Sequence, residues 1–215
     1  MTPTFASGTS HSAEATAADH ACAHLANGSP VIVVDDVRRA GESILMLAAS
    51  SVTTESVARM VRYSSGFLCV AMPHDHGERL RIHPMPCAPD EPFGTRYCVS
   101  VDSVGTTTGI SATDRALTAR RLADPSATHT EFLRPGHVMS VLASPGGMHE
   151  RQGRTETVVE LLRMAQLPPV GVYAEIVGDS DGSVLTGAEL SSFARQQGLP
   201  LVCLSQIRAL WNDRS

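Results

Sequence analysis

At 215 residues and 42% hydrophobic content, the chain can bury one substantial core and does not require a second. A formal net charge of −5, with basic residues scattered along the sequence, excludes the electrostatic footprint of a nucleic-acid binder. Aromatics at 4% leave few base-stacking platforms or large protein anchors, so a small polar ligand is the fitting partner.

The first fifteen residues lack the basic start and apolar run of a secretory signal, and no later stretch reaches the length of a membrane span, which points to the cytoplasm. Five cysteines are an odd number, and Cys69, Cys98 and Cys203 lie in apolar runs; buried thiols are expected there, with neither disulfides nor zinc. The expected organisation is a mobile Ser/Thr/Ala/Gly-rich tail over residues 1–11 and one domain over residues 12–215.

In chain order, Ala13 to Ala26 reads as a helix stopped at Asn27-Gly28, and residues 30–34 as a buried strand ending at Asp35-Asp36. A polar loop runs from Val37 to Ser43. Thr53 or Thr54 caps a helix with Val57, Met60 and Val61 on one face, and a strand follows over Phe67–Ala71. Residues 73–95, rich in Pro, His and charge, read as a long loop; His74, His76 and His83 within it read as solvated side chains rather than metal ligands. Tyr97–Val101 is strand-like, Ser111 opens a helix through Ala123, and Val138–Ala143 is again strand-like. The loop Ser144–Gly153 leads into a helix that Pro168-Pro169 prevents from continuing. A strand at Gly171–Val177, a helix opened by Thr186 and stopped by Gly198, and a strand at Leu201–Leu204 complete the pass. Alternating strands and helices give a single-domain α/β fold of α+β type, a mixed sheet covered by helices.

Five segments, in order, carry a resemblance: Gly28-Ser-Pro-Val-Ile-Val-Val-Asp-Asp36, Thr107-Thr-Gly-Ile-Ser-Ala-Thr-Asp-Arg-Ala116, Arg134-Pro-Gly-His-Val138, Pro145-Gly-Gly147 and Leu167-Pro-Pro-Val-Gly-Val172 followed by Glu175. Together they resemble the 3,4-dihydroxy-2-butanone 4-phosphate synthase family over residues 13 to 210. The resemblance implies a homodimeric α/β domain with its site completed near the interface. It also implies conversion of ribulose 5-phosphate to 3,4-dihydroxy-2-butanone 4-phosphate and formate, through an enediol, loss of water and a skeletal rearrangement. That route needs acid–base groups, a phosphate clamp and positive charge to hold the enediolate, the last supplied by Mg²⁺ in the family.

Matched residue by residue, His137 takes the place of the family's essential histidine, a side chain suited to repeated proton transfer, and Glu175 that of its essential glutamate. The plain alternatives are a histidine satisfied by backbone and a structural ion pair. Arg39, Glu42, Thr108, Arg151, Gly153 and Thr155 match substrate-binding positions, where an Arg, a hydroxyl and helix-start amides suit a phosphate or hydroxyl.

The departures fall on the metal. Where the family reads Asp-Asp-Glu-Asp-Arg-Glu-Asn-Glu-Gly-Asp, this chain reads Asp35-Asp-Val-Arg-Arg-Ala-Gly-Glu-Ser-Ile44. Ala40 thus replaces one metal ligand and Ile44 a substrate-contacting aspartate. The second ligand, a histidine, is Arg154. The expectation is a metal-free enzyme in which Arg154 joins His137 and Glu175 in catalysis, with Mg²⁺ a cofactor only if the ordinary synthase activity persists. Two alternatives stay open: an ordinary synthase recruiting metal through Glu42, Asp35 or Asp36, and a silent homologue serving as a dimerisation partner.

Overall fold

The computed structural model describes residues 9–35, 43–86, 94–179 and 181–214. The elements in chain order are α1 (Thr9–Ala26), β1 (Val31–Val34), β2 (Ser43–Ala48), α2 (Thr54–Tyr63), β3 (Cys69–Met72), α3 (His74–Arg79), β4 (Arg96–Tyr97), β5 (Val101–Ser103), α4 (Ala112–Ala123), β6 (Phe132–Leu142), α5 (Arg154–Met164), β7 (Gly171–Glu175), α6 (Gly187–Gln197), β8 (Leu201–Cys203) and α7 (Leu204–Arg214). The strands form a mixed sheet in the order β4-β6-β3-β7-β2-β1-β8, and β5 pairs with the first half of β6. β1 with β8 and β3 with β6 are parallel; the other pairs are antiparallel.

Alternation along the strands divides the core in two. Ile32, Leu45, Leu47, Val70 and Val172 face α2, α4 and α6 through Val57, Met60, Leu122 and Leu190. Val33, Ile44, Met46, Ala71 and Tyr173 face α1, α5 and α7 through Leu25, Val158, Leu161 and Ile207. The expected α/β sheet with helical cover is therefore what forms, with helices on both faces. Leu47 on the interior strand β2 is fully buried; Leu47→Ala is expected to cost about 2–5 kcal/mol, read from urea unfolding midpoints. Among the described residues no helix is long and apolar enough to cross a membrane.

Several local expectations need correction. Ser43, expected to end the polar loop, instead opens β2, and every residue of Ser43–Ala48 is buried, so the strand is covered on both faces. Residues 73–95 are not one loop, because His74–Arg79 forms α3. His76 is half-buried rather than solvated, and its Nε2 lies 2.8 Å from the Leu122 carbonyl. Val61 is 37% exposed; one residue after Met60, it is turned about 100° away from it. α1 begins at Thr9, ahead of the expected Ala13. α7 was not anticipated, since it follows β8 without a loop; the Gln206 side chain caps it by accepting from the Cys203 N–H at 2.8 Å.

The expected strand at 97–101 is broken by the course of β6. Val101 pairs with Val138, but Asp102 pairs with Leu133. Residues Arg134 to His137 are therefore bulged out of β6 at a point where Pro135 has no N–H to give a ladder.

Candidate active site

His137 ends that bulge. Its Nδ1 is 2.7 Å from Asp102 Oδ2, and its backbone N–H donates to Asp102 Oδ1 at 2.9 Å. The carboxylate is nearly buried while the imidazole is 42% exposed. Both carboxylate oxygens are thus spent on holding one residue, which fixes the ring's orientation and assigns Nδ1 the proton shared with Asp102. Nε2 is the ring nitrogen that Asp102 does not engage.

The turn Thr107–Gly109 closes over this pair. A Cβ on Gly109 would stand 2.0 Å from Asp102 Oδ2 and 2.5 Å from His137 Nδ1, so only glycine fits. Asp114, at the start of α4, shapes the turn: it accepts from Thr107 Oγ1 at 2.7 Å, Thr107 N at 3.1 Å and Gly109 N at 3.1 Å. Thr108 is exposed in the same turn. The Thr107 hydroxyl, then its amide, hold the Asp114 carboxyl below its usual 3.8. A carboxylate whose folded value is depressed stabilises the fold above its unfolded value and loses that contribution as pH falls through the folded one. Asp114→Asn is accordingly expected to lower the thermal midpoint at pH 7, with the gap to the native chain closing below pH 3.8.

A second group of side chains gathers on β3, β7 and the start of α5. Glu175 ends β7, with Ile44 of β2 as its register partner. Arg154 opens α5, and its Nη1 lies 3.5 Å from Glu175 Oε1. Behind them Cys69 pairs in register with both Met139 and Tyr173. Burial, with the Glu175 charge adding to it, pushes the Cys69 thiol up to about 12, so it stays a neutral buried thiol. The buried Tyr173 hydroxyl bonds Thr155, which is itself buried. Because Met139 of β6 pairs with Cys69, His137 lies only two residues from this group on a strand neighbouring β3.

Arg151 precedes α5. Its Nη1 donates to Glu156 Oε2 at 2.8 Å and its Nη2 to Thr95 Oγ1 at 3.2 Å. Gly153 is the N-cap of α5.

The structure thus brings Arg154 to Glu175, bonds Thr155 to Tyr173, puts Arg151 and Gly153 at the same helix start, and sets Thr108 next to the glycine that packs on His137. Arg39, Ala40 and Glu42 lie outside the described residues. Glu156 is engaged by Arg151. Sequence reasoning missed Asp102, an acid between Val101 and Ser103 on a strand, and Glu156 within the motif it had matched. Among the described residues no cluster of three or more His, Cys, Asp or Glu is placed to hold a metal ion.

Comparison with known proteins finds one family over most of the chain. The family model for 3,4-dihydroxy-2-butanone 4-phosphate synthase matches residues 19–210. The riboflavin biosynthesis protein RibBA of Rhodococcus erythropolis is 45% identical over 193 residues, covering 89% of this chain and 46% of that protein. RibBA of Aquifex aeolicus is 41% identical over 192 residues, covering 88% of this chain and 47% of its own length. The chain therefore spans about half the length of the curated relatives it matches. Among solved structures, the 3,4-dihydroxy-2-butanone 4-phosphate synthase of Candida albicans superposes with a TM-score of 0.82 at 38% identity, covering 88% of this chain and 94% of that one. A synthase in complex with two magnesium ions gives 0.81 at 41% identity, covering 88% and 93%. This chain belongs to the 3,4-dihydroxy-2-butanone 4-phosphate synthase family.

Proposed function

We propose that the protein acts on ribulose 5-phosphate, or a closely related small phosphorylated ketose, by proton transfer through an enediol, without a divalent cation at the family's ligand positions. The observation that carries this reading is the Arg154 guanidinium, 3.5 Å from Glu175, at the position where the family has a metal-ligating imidazole. A guanidinium keeps its protons in proteins and offers no lone pair, so it cannot ligate Mg²⁺, and its charge repels the ion. Ala40, at the other ligand position, has no donor atom in its side chain. The side chains at these two positions do not fit the metal, although a synthase of similar fold is in complex with two magnesium ions.

In this reading His137, oriented by Asp102, moves the protons of the enediol step through Nε2. Arg154 presents a fixed positive charge to the oxygens on which negative charge develops, a task a planar fork of N–H donors performs without a cation. Glu175 orients Arg154 and accepts from a substrate hydroxyl. Arg151, with Arg39, binds the phosphate. Ile44 replaces an acid beside Glu175, so that wall favours a substrate or intermediate with one hydroxyl fewer to satisfy. The reading includes a cytoplasmic homodimer with the site near its interface, the assembly that the family resemblance implies.

Carbon-13 NMR of labelled ribulose 5-phosphate, incubated with the protein in EDTA and separately in Mg²⁺, tests the proposal. Equal consumption in both tubes is expected. Formate appearing only with Mg²⁺ would remove the metal-free clause and restore the ordinary synthase. No consumption in either tube would overturn the substrate assignment.

A further inference from the structure

We propose that Glu156 is a positioning residue that aims Arg151 at the phosphate of the ligand, by clamping together the two ends of the connection between β6 and α5. This rests on the phosphorylated-substrate reading above. Glu156 is 1% exposed, and a carboxylate out of water is costly unless each oxygen is matched. Here Oε1 accepts from the Ser144 N–H at 2.8 Å, where the connection begins. Oε2 accepts from Arg151 Nη1 at 2.8 Å, where it ends. The acid also sits in the first turn of α5, where the helix dipole favours a negative charge.

The geometry around Arg151 is built for that one arrangement. Gly153 lies against the guanidinium: a Cβ there would be 2.7 Å from Arg151 Cζ and Nη1 and 2.8 Å from Glu156 Oε2. Thr95 Oγ1 accepts from Nη2 at 3.2 Å on another side. Glu156 and Thr95 thus fix both the position and the plane of the fork, whose flatness is what makes arginine selective for phosphate oxygens. A long, rotamer-rich side chain ordered before the ligand arrives has less entropy to lose on binding. Glu156 need not touch the substrate: its contribution passes through Arg151.

A double-mutant cycle reads that dependence. Binding of ribulose 5-phosphate is titrated by calorimetry for the native chain, Glu156→Gln, Arg151→Ala and the double variant. Glu156→Gln is expected to weaken binding about 10-fold, within the coupling seen between contacting residues, and to have no further effect once Arg151 is alanine. Equal losses in both backgrounds would mean that Glu156 supports the fold in general and would overturn the positioning role alone. No binding by the native chain would overturn the substrate reading and this proposal with it. Should Glu156→Gln fail to fold, Glu156→Asp, which keeps the charge but is too short to span both partners, carries the same cycle. Failure of both to fold would mark Glu156 as a stability element and overturn the proposal.

Discussion

Replacing His137 with alanine is expected to slow turnover of ribulose 5-phosphate by roughly 10²- to 10⁴-fold, the usual contribution of a positioned acid–base group. The expectation follows from how the residue is held. Both oxygens of Asp102 are committed to it, the ring remains open to solvent, and the bulge at Arg134–His137 carries it out of the ladder of β6. A histidine serving only the sheet would not need a buried carboxylate of its own. Asp102→Asn provides the companion measurement. It preserves volume but removes the charge that orients Nδ1–H, so kcat should fall while the affinity for the sugar phosphate holds. A rate for His137→Ala within a few-fold of the native protein would place proton transfer elsewhere.

Arg154→Ala should lower kcat by roughly 10²- to 10³-fold, the cost of removing one preorganised donor from a developing oxyanion, and EDTA should leave the native rate unchanged. Arg154→Lys separates charge from geometry. The ammonium keeps the sign but loses the flat fork, so it should recover part of the rate and not all of it. Removing Arg154 also takes from Glu175 the cation 3.5 Å away, which makes the effect larger than the loss of a single contact with substrate. Complete inactivation of the native protein by EDTA would instead mean that a cation is held by other ligands, with Arg154 a structural partner of Glu175.

The parts of this site legible in the sequence are those in short local motifs. His137 within Arg-Pro-Gly-His and Arg154 within Gly-Arg-Thr-Glu are marked by their match to the family's motifs, and Glu175, a lone acid in an apolar run, by local contrast as well. Asp102 is not, because its meaning depends on a partner 35 residues away and on a break in register that no local pattern records. Glu156 was hidden for a related reason: read alone it is an ordinary acid in a first helical turn, and only the folded loop shows both oxygens occupied. The layered α/β fold was legible from alternation of elements, and the apolar run Ile44–Ala48 that forms most of β2 carries the same signal as the one that marks β1.

The pairing of Ile32 with Leu201 and Val34 with Cys203 bears on how the chain acquires its structure. β1 is made early and its outer neighbour late. Until residue 203 has been synthesised, Val31–Val34 presents an apolar strand with one bare edge, the kind of template on which chains associate wrongly. Non-local parallel pairing of this sort also folds slowly. Nascent chains halted before Leu201 should therefore be far more prone to aggregate than those halted after Arg214, even though every residue of the candidate site is already present in both.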